Sequence, residues 1–287
     1  MRWDDFRRSS NVEDRRGQLV RAGGLGIGTM AILGLLAWGL GINPALLIGG
    51  AEMVSRHLPQ SAGSSKPAPN DQASQFVSSI LGSTEDVWTD VFKTVGKTYQ
   101  APKLVIFSGT TKSACGVAQS AVGPFYCPND RTVYLDTSFF NQIEKRLHGC
   151  EGKACQFSQA YVIAHEVGHH VQNMLGILPK VQALQARSGE AQGNQLQVRV
   201  ELQADCFAGV WANHAQNKFK FLEPGDIEAA LKTASAIGDD TLQRKSQGYV
   251  VPDAFTHGSS EQRQRWFYTG LKSGEVTGCD TFGAATL

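Results

Sequence analysis

A glutamate that follows the first of two histidines four residues apart is the feature that most constrains this chain. The run H-E-V-G-H extends from His165 to His169, inside a stretch with helical spacing of apolar residues, about residues 156–175. On a helix, positions four apart lie on one face, so the two imidazoles can bind the same metal ion. Glu166 then lies beside that ion, where its carboxylate can take a proton from water and later release it. The spacing therefore predicts a zinc site with Glu166 as general base and acid.

The simpler alternative is a core or surface helix whose histidines are incidental. Apolar residues surround the motif, namely Tyr161, Val162, Ile163, Ala164, Val167 and Val171. Two imidazoles and a carboxylate near a core are unfavourable unless a partner compensates them. A metal ion supplies that partner, so the flanking sequence favours the metal interpretation.

A second helical segment, about residues 189–217, offers the remaining ligand. A catalytic zinc site takes three protein ligands and leaves one position for water. Glu201 and Asp205 are four residues apart, so they share a helix face. We expect Glu201 to be the third ligand, and Asp205 to orient a ligating histidine or to support Glu201. The alternative, a solvated acidic pair, conflicts with the apolar character of residues 204–211.

Two other histidines compete with Glu201 for the third ligand position. His170 follows His169 directly, so it points about 100° away around the helix and is the poorer candidate. His214 lies on the same segment as Glu201, and as a fourth protein ligand it would close the site. A closed site would favour another class of function, a non-catalytic, membrane-tethered binding protein in which zinc holds two helices together. An open position with Glu166 beside it would favour an enzyme.

The N-terminal part of the chain differs in character from the rest. Residues 22–42 contain no charged side chain, and about 20 apolar residues suffice for a helix to cross a bilayer. Arginines on the N-terminal side favour a cytoplasmic segment, residues 1–21, and an exported body. A cleaved signal peptide has a shorter apolar core, and a buried core helix shows polar residues at helical spacing. Residues 43–74 are predicted to be a linker, and residues 75–287 the folded domain.

The six cysteines give independent information on the compartment. All of them follow the apolar run, and an even number is typical of disulfides in an exported domain. The sequence alone does not fix their connectivity. Short loops favour the pairs Cys115–Cys127 and Cys150–Cys155, which leaves Cys206–Cys279. A cysteine zinc site is disfavoured because no Cys-x-x-Cys pair exists, and a cysteine nucleophile because such thiols are paired.

The pattern of the body predicts an α+β domain, with a few strands first and helices afterwards. Strands are expected over residues 103–108 and 132–136, which are rich in β-branched and aromatic residues. Helices are expected over residues 75–99, 138–148, 156–175, 189–217, 224–237 and 260–271. The formal net charge of +1, without a basic stripe, argues against a nucleic-acid partner.

The two metal motifs also carry a family resemblance. H-E-V-G-H-H-V-Q, followed by E-L-Q-A-D-C-F-A-G-V-W, resembles the bacterial neutral zinc metallopeptidase family. These are membrane-anchored proteins of the gluzincin type, with H-E-x-x-H and E-x-x-x-D motifs. The similarity includes S-N-V-E-D-R-R near the N-terminus and F-T-H-G-S-S-E-Q-R near the C-terminus. It implies a zincin-like fold with an active-site helix, a glutamate helix and a small sheet, whose edge strand pairs with an extended peptide.

One further residue is a candidate for transition-state stabilisation. The T-H-G-S-S block around His257 resembles the T-H-P-S block that follows the glutamate helix in related membrane gluzincins. We expect His257 to donate a hydrogen bond to the oxyanion of the tetrahedral intermediate, besides zinc. A histidine in a surface loop is the plain alternative, and Tyr249 and Tyr268 are rival donors.

These features together predict a membrane-anchored zinc peptidase, and more specifically an endopeptidase, that hydrolyses peptide bonds of exported or envelope polypeptides. Residues 22–42 would form a single span of the cytoplasmic membrane, and the catalytic domain would face the periplasm or the cell exterior. The expected partners are Zn²⁺, the membrane and a peptide or protein substrate.

Overall fold

The computed structural model describes residues 1–17, 71–120 and 123–287, which form helices around a small sheet. The helices are α1 (Gln72–Thr94), α2 (Ser138–Lys145), α3 (Cys155–Met174), α4 (Ile177–Gln185), α5 (Glu190–Phe219), α6 (Asp226–Ala236), α7 (Asp239–Gln247) and α8 (Ser260–Ser273). The strands are β1 (Val12–Asp14), β2 (Lys103–Phe107), β3 (Thr110–Ser113), β4 (Gly116–Gln119), β5 (Phe125–Cys127) and β6 (Thr132–Asp136). The predicted α+β class is confirmed.

The main sheet has four strands in the order β1-β2-β6-β5. β1, β2 and β6 run parallel, whereas β5 runs antiparallel to β6 and forms one edge of the sheet. β6 is buried along its whole length, and β2 is buried after its first residue. Such continuous burial is typical of parallel strands covered on both faces. β3 and β4 form a separate antiparallel hairpin.

Residues without a β-carbon let the central helix, α5, approach its two neighbours. On α3, a Cβ at Gly168 would lie 2.9 Å from the carbonyl oxygen of Ala204 on α5. On α8, a Cβ at Gly270 would lie 1.9 Å from the carbonyl oxygen of Cys206. Both distances are shorter than any tolerated contact, so only glycine allows these backbones to pack so closely. The position of Glu201 relative to α3 follows from this packing.

The first sixteen residues belong to the same folded unit as residues 71–287. Trp3 and Phe6 are buried in the core, and Trp3 packs edge-on against Phe76 of α1, with ring centroids 5.5 Å apart. β1 pairs in parallel with β2, so the N-terminal segment also supplies an edge strand of the sheet. The segment is therefore part of the core and of the sheet.

Polar contacts connect the same segment to α1. The buried carboxylate of Glu85 accepts hydrogen bonds from three residues of the segment, Arg7 at 2.7 Å, Ser9 at 2.6 Å and Asn11 at 2.7 Å. Farther along, the Arg16 guanidinium forms an ion pair with Asp71, at an Nη1–Oδ2 distance of 2.8 Å. Residues 16 and 71 are therefore in direct contact, although 54 residues separate them in the sequence.

The folded unit thus differs from the predicted domain of residues 75–287. It also contains residues 1–16, which the sequence interpretation assigned to a separate N-terminal segment, and α1 begins at Gln72, within the predicted linker. The predicted anchor, residues 22–42, and most of the predicted linker, residues 43–74, lie outside the described residues. Within the part of the chain that the structure describes, no helix is both long and apolar enough to cross a membrane.

All three favoured disulfides are confirmed. The bonds join Cys115 to Cys127, Cys150 to Cys155, and Cys206 to Cys279. The first ties the last residue of β5 to the turn between β3 and β4, and the third ties α5 to the C-terminal part of the chain. These two disulfides therefore restrain the edge strand β5 and the central helix α5.

The predicted strands and helices are confirmed, with ends displaced by up to five residues. The sequence interpretation missed β1, β3, β4 and β5, because strands of three or four residues are too short to show an alternating pattern. It also missed α4 and α7. Pro179 lies in the first turn of α4, where proline is tolerated although it disfavours the interior of a helix.

Candidate metal centre

α3 presents its motif residues on the wall of a cleft between helices and sheet. His165, Glu166 and His169 line this cleft, and Glu201 of α5 lies opposite them. His165, Glu166 and Glu201 are each only 7% exposed. Three polar groups so deeply buried, with the partly buried His169 beside them, require partners. The partners of the two imidazoles and of Glu201 define what the site can bind.

Three potential ligand atoms converge at one point. The Oε2 atom of Glu201 lies 3.2 Å from Nε2 of His165 and 3.5 Å from Nε2 of His169. All three atoms lie within 4.8 Å of one another. Zinc bonds of about 2.0–2.2 Å in a tetrahedron place neighbouring ligand atoms roughly 3.3–3.5 Å apart. The donor set, and the two distances from Glu201, therefore fit a zinc ion held by His165, His169 and Glu201.

Each potential ligand residue has a hydrogen-bond partner that fixes its orientation. Nδ1 of His165 lies 2.8 Å from Oδ1 of Asp205, as predicted for an orienting carboxylate. Nδ1 of His169 lies 2.9 Å from the amide oxygen of Gln172. Both partners are acceptors, so both Nδ1 atoms carry the proton and both Nε2 lone pairs face the metal position. Gln197 fixes the carboxylate of Glu201 by donating to Oε1 at 2.9 Å.

Asp205 is the centre of a buried hydrogen-bond network. Besides His165, its carboxylate accepts from Tyr161 Oη at 2.5 Å and from Arg263 at 2.8 and 2.9 Å. Asp205 is fully buried, and Arg263 is only 3% exposed. Burial acts to raise the pKa of Asp205, but the charges of Arg263 and His165 and their hydrogen bonds lower it to about 2. The carboxylate is therefore ionised and held in place on α5.

The electrostatics of the cleft favour a cation at the point of convergence. Burial acts to raise the pKa of Glu201, yet His169 and His165 lower it well below its ordinary value. Burial acts to lower the pKa of His165, but Asp205 and Glu201 raise it to about 10. The carboxylates thus attract positive charge to the imidazoles. A divalent metal ion satisfies the same demand.

The two competing histidines are engaged elsewhere. His170 lies between the sheet and the loop before β2, with Nδ1 3.0 Å from Tyr126 Oη and Nε2 2.6 Å from the Gln100 carbonyl oxygen. His214 donates from Nε2 to the carbonyl oxygen of Gly274 at 2.9 Å. Neither belongs to the group of ligand atoms around Glu201. Among the described residues, three potential ligands therefore meet at this point, and neither of these histidines adds a fourth.

His257 lies on the rim of the same cleft. Its loop is held by Asp239, whose Oδ2 accepts from the backbone N–H groups of Thr256 and His257 at 2.6 Å and of Gly258 at 3.1 Å. The His257 ring is half exposed, with Nδ1 3.3 Å from Oδ1 of Asp239. The rival donors Tyr249 and Tyr268 are exposed, and neither is among the described residues that line the cleft.

The cleft has a volume of about 510 Å³ and a mainly apolar wall. Its apolar side chains come from the segment before and within β5, from the region of α2 to α5, and from residues at and before the start of α7. They include Pro124, Phe125, Phe139, Leu147, Val162, Leu178, Val181, Val200, Ile237 and Leu242. Among the described lining residues, Arg263 is the one ionisable side chain besides the motif residues, His257 and the tyrosines Tyr126 and Tyr161, and it is paired with Asp205.

Four residues of the site were missed by sequence reasoning, namely Tyr161, Gln172, Gln197 and Arg263. Three of them had a local signal, because they lie three or four residues from a motif residue on the same helix: Tyr161 before His165, Gln172 after His169 and Gln197 before Glu201. Arg263 had none, since its partner Asp205 lies 58 residues away in the chain.

An α+β domain with this donor set, and with a buried glutamate beside it, is typical of zinc-dependent hydrolases. The chain belongs to the family described as "Putative neutral zinc metallopeptidase", which matches residues 1–282. The predicted resemblance is therefore confirmed, and zinc is the cofactor that this membership implies. The match includes the N-terminal segment that the structure places in the core.

Two relatives illustrate the range of similarity. Uncharacterized protein YpfJ of Escherichia coli K12 is 48% identical over 297 aligned residues, which cover 99% of each chain. Uncharacterized protein Rv2575 of Mycobacterium tuberculosis H37Rv is 40% identical over 258 residues, which cover 86% of this chain and 85% of the relative. No solved structure matches.

Proposed function

We propose that this protein is a zinc-dependent peptidase, and that it cleaves within polypeptide chains. The observation that carries the proposal is the convergence of His165, His169 and Glu201 on one point, with Glu166 in the same cleft. Zinc, when bound, supplies Lewis-acid chemistry, because it lowers the pKa of water and polarises a carbonyl group. The protein's own side chains supply the proton transfers and the position of the substrate.

Glu166 is the proposed general base and acid. Burial raises the pKa of Glu166, although the neighbouring imidazoles oppose this rise. A carboxylate with a raised pKa accepts a proton from the attacking water and can then release it to the leaving amine. Both transfers occur at the same carboxylate.

His257 is the proposed donor to the oxyanion. Its ring is near Asp239, and its loop is held by three backbone hydrogen bonds to that carboxylate. A ring fixed at the rim of the cleft can donate to charge that develops on the scissile carbonyl oxygen. His257→Ala should lower turnover without changing the zinc content, and unchanged turnover would contradict the role.

The wall of the cleft indicates the class of substrate. Large apolar side chains predominate, and the described residues of the wall offer no unpaired charged group, outside the proposed catalytic set, to bind a charged side chain. A charged residue would lose hydration in this cleft without gaining a partner. We therefore propose extended peptides with large apolar residues on both sides of the scissile bond as substrates.

The three disulfides support a location in an oxidising compartment, outside the cytoplasm. Residues 1–16 must share that location, because they form strand β1 and part of the core of the same unit. A chain that crossed a membrane once between Arg16 and Asp71 would separate two groups that are 2.8 Å apart. We therefore propose that both segments lie on the same side of any membrane to which the protein is attached, with substrates among exported polypeptides.

Cysteine labelling tests this arrangement. Asp4→Cys and Lys272→Cys replace exposed residues of the N-terminal segment and of α8. In intact producing cells, a membrane-impermeant maleimide should label both variants or neither, and it should label both after permeabilisation. Labelling of only one variant in intact cells would contradict the common location.

The catalytic proposal is tested by Glu166→Gln in the zinc-loaded protein. We expect the variant to retain its zinc and to lose about 10²–10⁴-fold in hydrolysis of a capped fluorogenic peptide with leucine on both sides of its central bond. Glu261→Gln, at an exposed position of α8, is the matched control and should cleave as the parent does. Equal cleavage by Glu166→Gln and the parent would rule out the proposed mechanism.

The alternative, a binding protein in which zinc only joins two helices, required a closed site. His214 is the residue that would have closed it as a fourth ligand, but its ring is hydrogen-bonded to the carbonyl oxygen of Gly274. Among the described residues, three potential ligands meet without a fourth, in the same cleft as Glu166, so a bound zinc ion would have a position left for water. This geometry favours the enzyme.

A further inference from the structure

A chain of hydrogen bonds connects α3 to β5 behind the metal site. Nδ2 of Asn173 donates to the hydroxyl of Tyr126 at 3.0 Å, and this hydroxyl lies 3.0 Å from Nδ1 of His170. Nε2 of His170 lies 2.6 Å from the carbonyl oxygen of Gln100. A carbonyl oxygen only accepts, so Nε2 carries the proton, Nδ1 accepts, and the Tyr126 hydroxyl donates. The direction of each hydrogen bond is therefore defined.

The environment of His170 agrees with this assignment. The side chain is fully buried, and the rings of Tyr99 and Tyr126 pack edge-on against it at 5.7 and 5.4 Å. Its two hydrogen-bond partners, a hydroxyl and a carbonyl oxygen, are uncharged, and burial disfavours the charged form of the ring. A neutral ring has one donor and one acceptor, and both are used here.

β5 is the strand that this network holds. It is the edge of the main sheet next to β6, and no other strand of the described residues pairs with its outer side. Residues 123–126 line the same cleft as Glu166. An edge strand presents free N–H and C=O groups, with which an extended peptide can pair. A peptide bound to β5 would therefore lie along the proposed catalytic site.

We propose that Tyr126, His170 and Asn173 are positioning residues that hold the substrate-binding edge of β5 at a fixed distance from the zinc ligands. The proposal rests on the proposed peptidase function. His170 is the neighbour of the ligand His169 in the sequence, so the network couples β5 directly to the turn of α3 that carries the site. The Cys115–Cys127 disulfide restrains the other end of the strand. A preorganised edge lowers the ordering cost of binding a peptide.

The test measures peptide binding rather than cleavage, so it remains informative if hydrolysis fails. In the zinc-loaded Glu166→Gln protein, Tyr126→Phe should weaken binding of a capped, fluorescent leucine-rich peptide by about tenfold, with unchanged zinc content. Tyr134→Phe is the matched control. This variant likewise removes a hydrogen-bonded hydroxyl, which donates to Asp130, but Tyr134 lies on β6 and outside the cleft. The affinity of Tyr134→Phe for the peptide should stay within about twofold of that of the parent.

Two further arms separate positioning from general loss of structure. A peptide with alternate N-methylated amides cannot pair with a strand, so Tyr126→Phe should cause no additional loss of its weaker binding. Asn173→Ala should reproduce the effect of Tyr126→Phe, and the double variant should be no weaker than the weaker single variant.

Equal binding of the unmodified peptide by Tyr126→Phe, Asn173→Ala and the parent would overturn the proposal, as would equal weakening by Tyr134→Phe. If the wild-type protein binds the peptide but does not cleave it, the peptidase proposal fails while the positioning role is still decided by the binding data.

Discussion

The metal centre and the N-terminal segment are both buried in one folded unit, yet they are encoded in different ways. The centre uses residues four apart on two helices, so its ligands share a face wherever those helices pack. The N-terminal segment depends on distant partners, with Glu85 of α1 binding three of its side chains. The comparison predicts that changes in the centre affect chemistry, whereas changes in the segment affect stability.

The largest effect is expected from loss of a ligand. Glu201→Ala should lose its bound zinc, and with it peptide hydrolysis, because two histidines alone hold zinc weakly and the ion supplies the Lewis acid. Metal analysis after dialysis, together with cleavage of the fluorogenic peptide, measures both losses. His214→Ala on the same helix is the control, since its ring bonds to Gly274 rather than to the site. Full zinc occupancy in Glu201→Ala would show that the centre has been wrongly assigned.

The second prediction concerns the apolar part of the N-terminal segment. Trp3→Ala should lower the free energy of unfolding by about 3–5 kcal/mol, because it leaves a cavity next to Phe76. Zinc affinity of the folded protein should not change. Urea unfolding followed by circular dichroism gives the first quantity, and metal titration gives the second. Asp4→Ala, at the exposed neighbouring position, should be nearly neutral. A Trp3→Ala protein as stable as the parent would show that the segment does not belong to the core in solution.

These two regions also show how far the sequence can predict the molecule. The ligands, the orienting Asp205 and the three disulfides follow from spacing, composition and short loops, which are local information. The packing of residues 1–16 could not be predicted from such local information, because a run with four acidic residues and five arginines resembles a solvated tail. Only its partners, more than 50 residues away, show that Trp3 and Phe6 are core residues. The pairing of Arg263 with Asp205 could not be predicted for the same reason, because the two residues are 58 positions apart in the sequence.

The third prediction concerns that pairing. Arg263→Lys keeps the positive charge but loses the bidentate hydrogen bond to the carboxylate of Asp205. We therefore expect this carboxylate to be less well fixed and to orient His165 less firmly. Zinc affinity should fall by about tenfold, with a smaller change in fold stability. Competition with a chelator of known affinity measures this. Arg265→Lys, an exposed position on the same helix, is the control. Unchanged zinc affinity in Arg263→Lys would mean that the centre does not depend on the network behind it.

The smallest effect is expected at the ion pairs of Arg16 with Asp14 and Asp71. Burial acts to raise the pKa of each carboxyl, but hydrogen bonds from Arg16 outweigh it, so both pKa values are lowered in the folded protein. Their stabilisation is therefore complete above the unfolded pKa of about 3.9 and is lost as the pH falls below it.

Arg16→Gln should accordingly reduce stability at pH 7 by at most about 1 kcal/mol, because Asp71 is partly exposed to solvent. It should also lose less stability than the parent as the pH falls below about 4, since the carboxyl pKa values return towards their unfolded values. Urea unfolding at a series of pH values measures both effects. Arg8→Gln removes the same charge from a residue that donates to the neutral amide of Gln75, so it should keep the acid dependence of the parent. If Arg16→Gln also kept it, the contact between residues 16 and 71 would not exist in solution, and the argument that both segments share one side of a membrane would lose its closest contact.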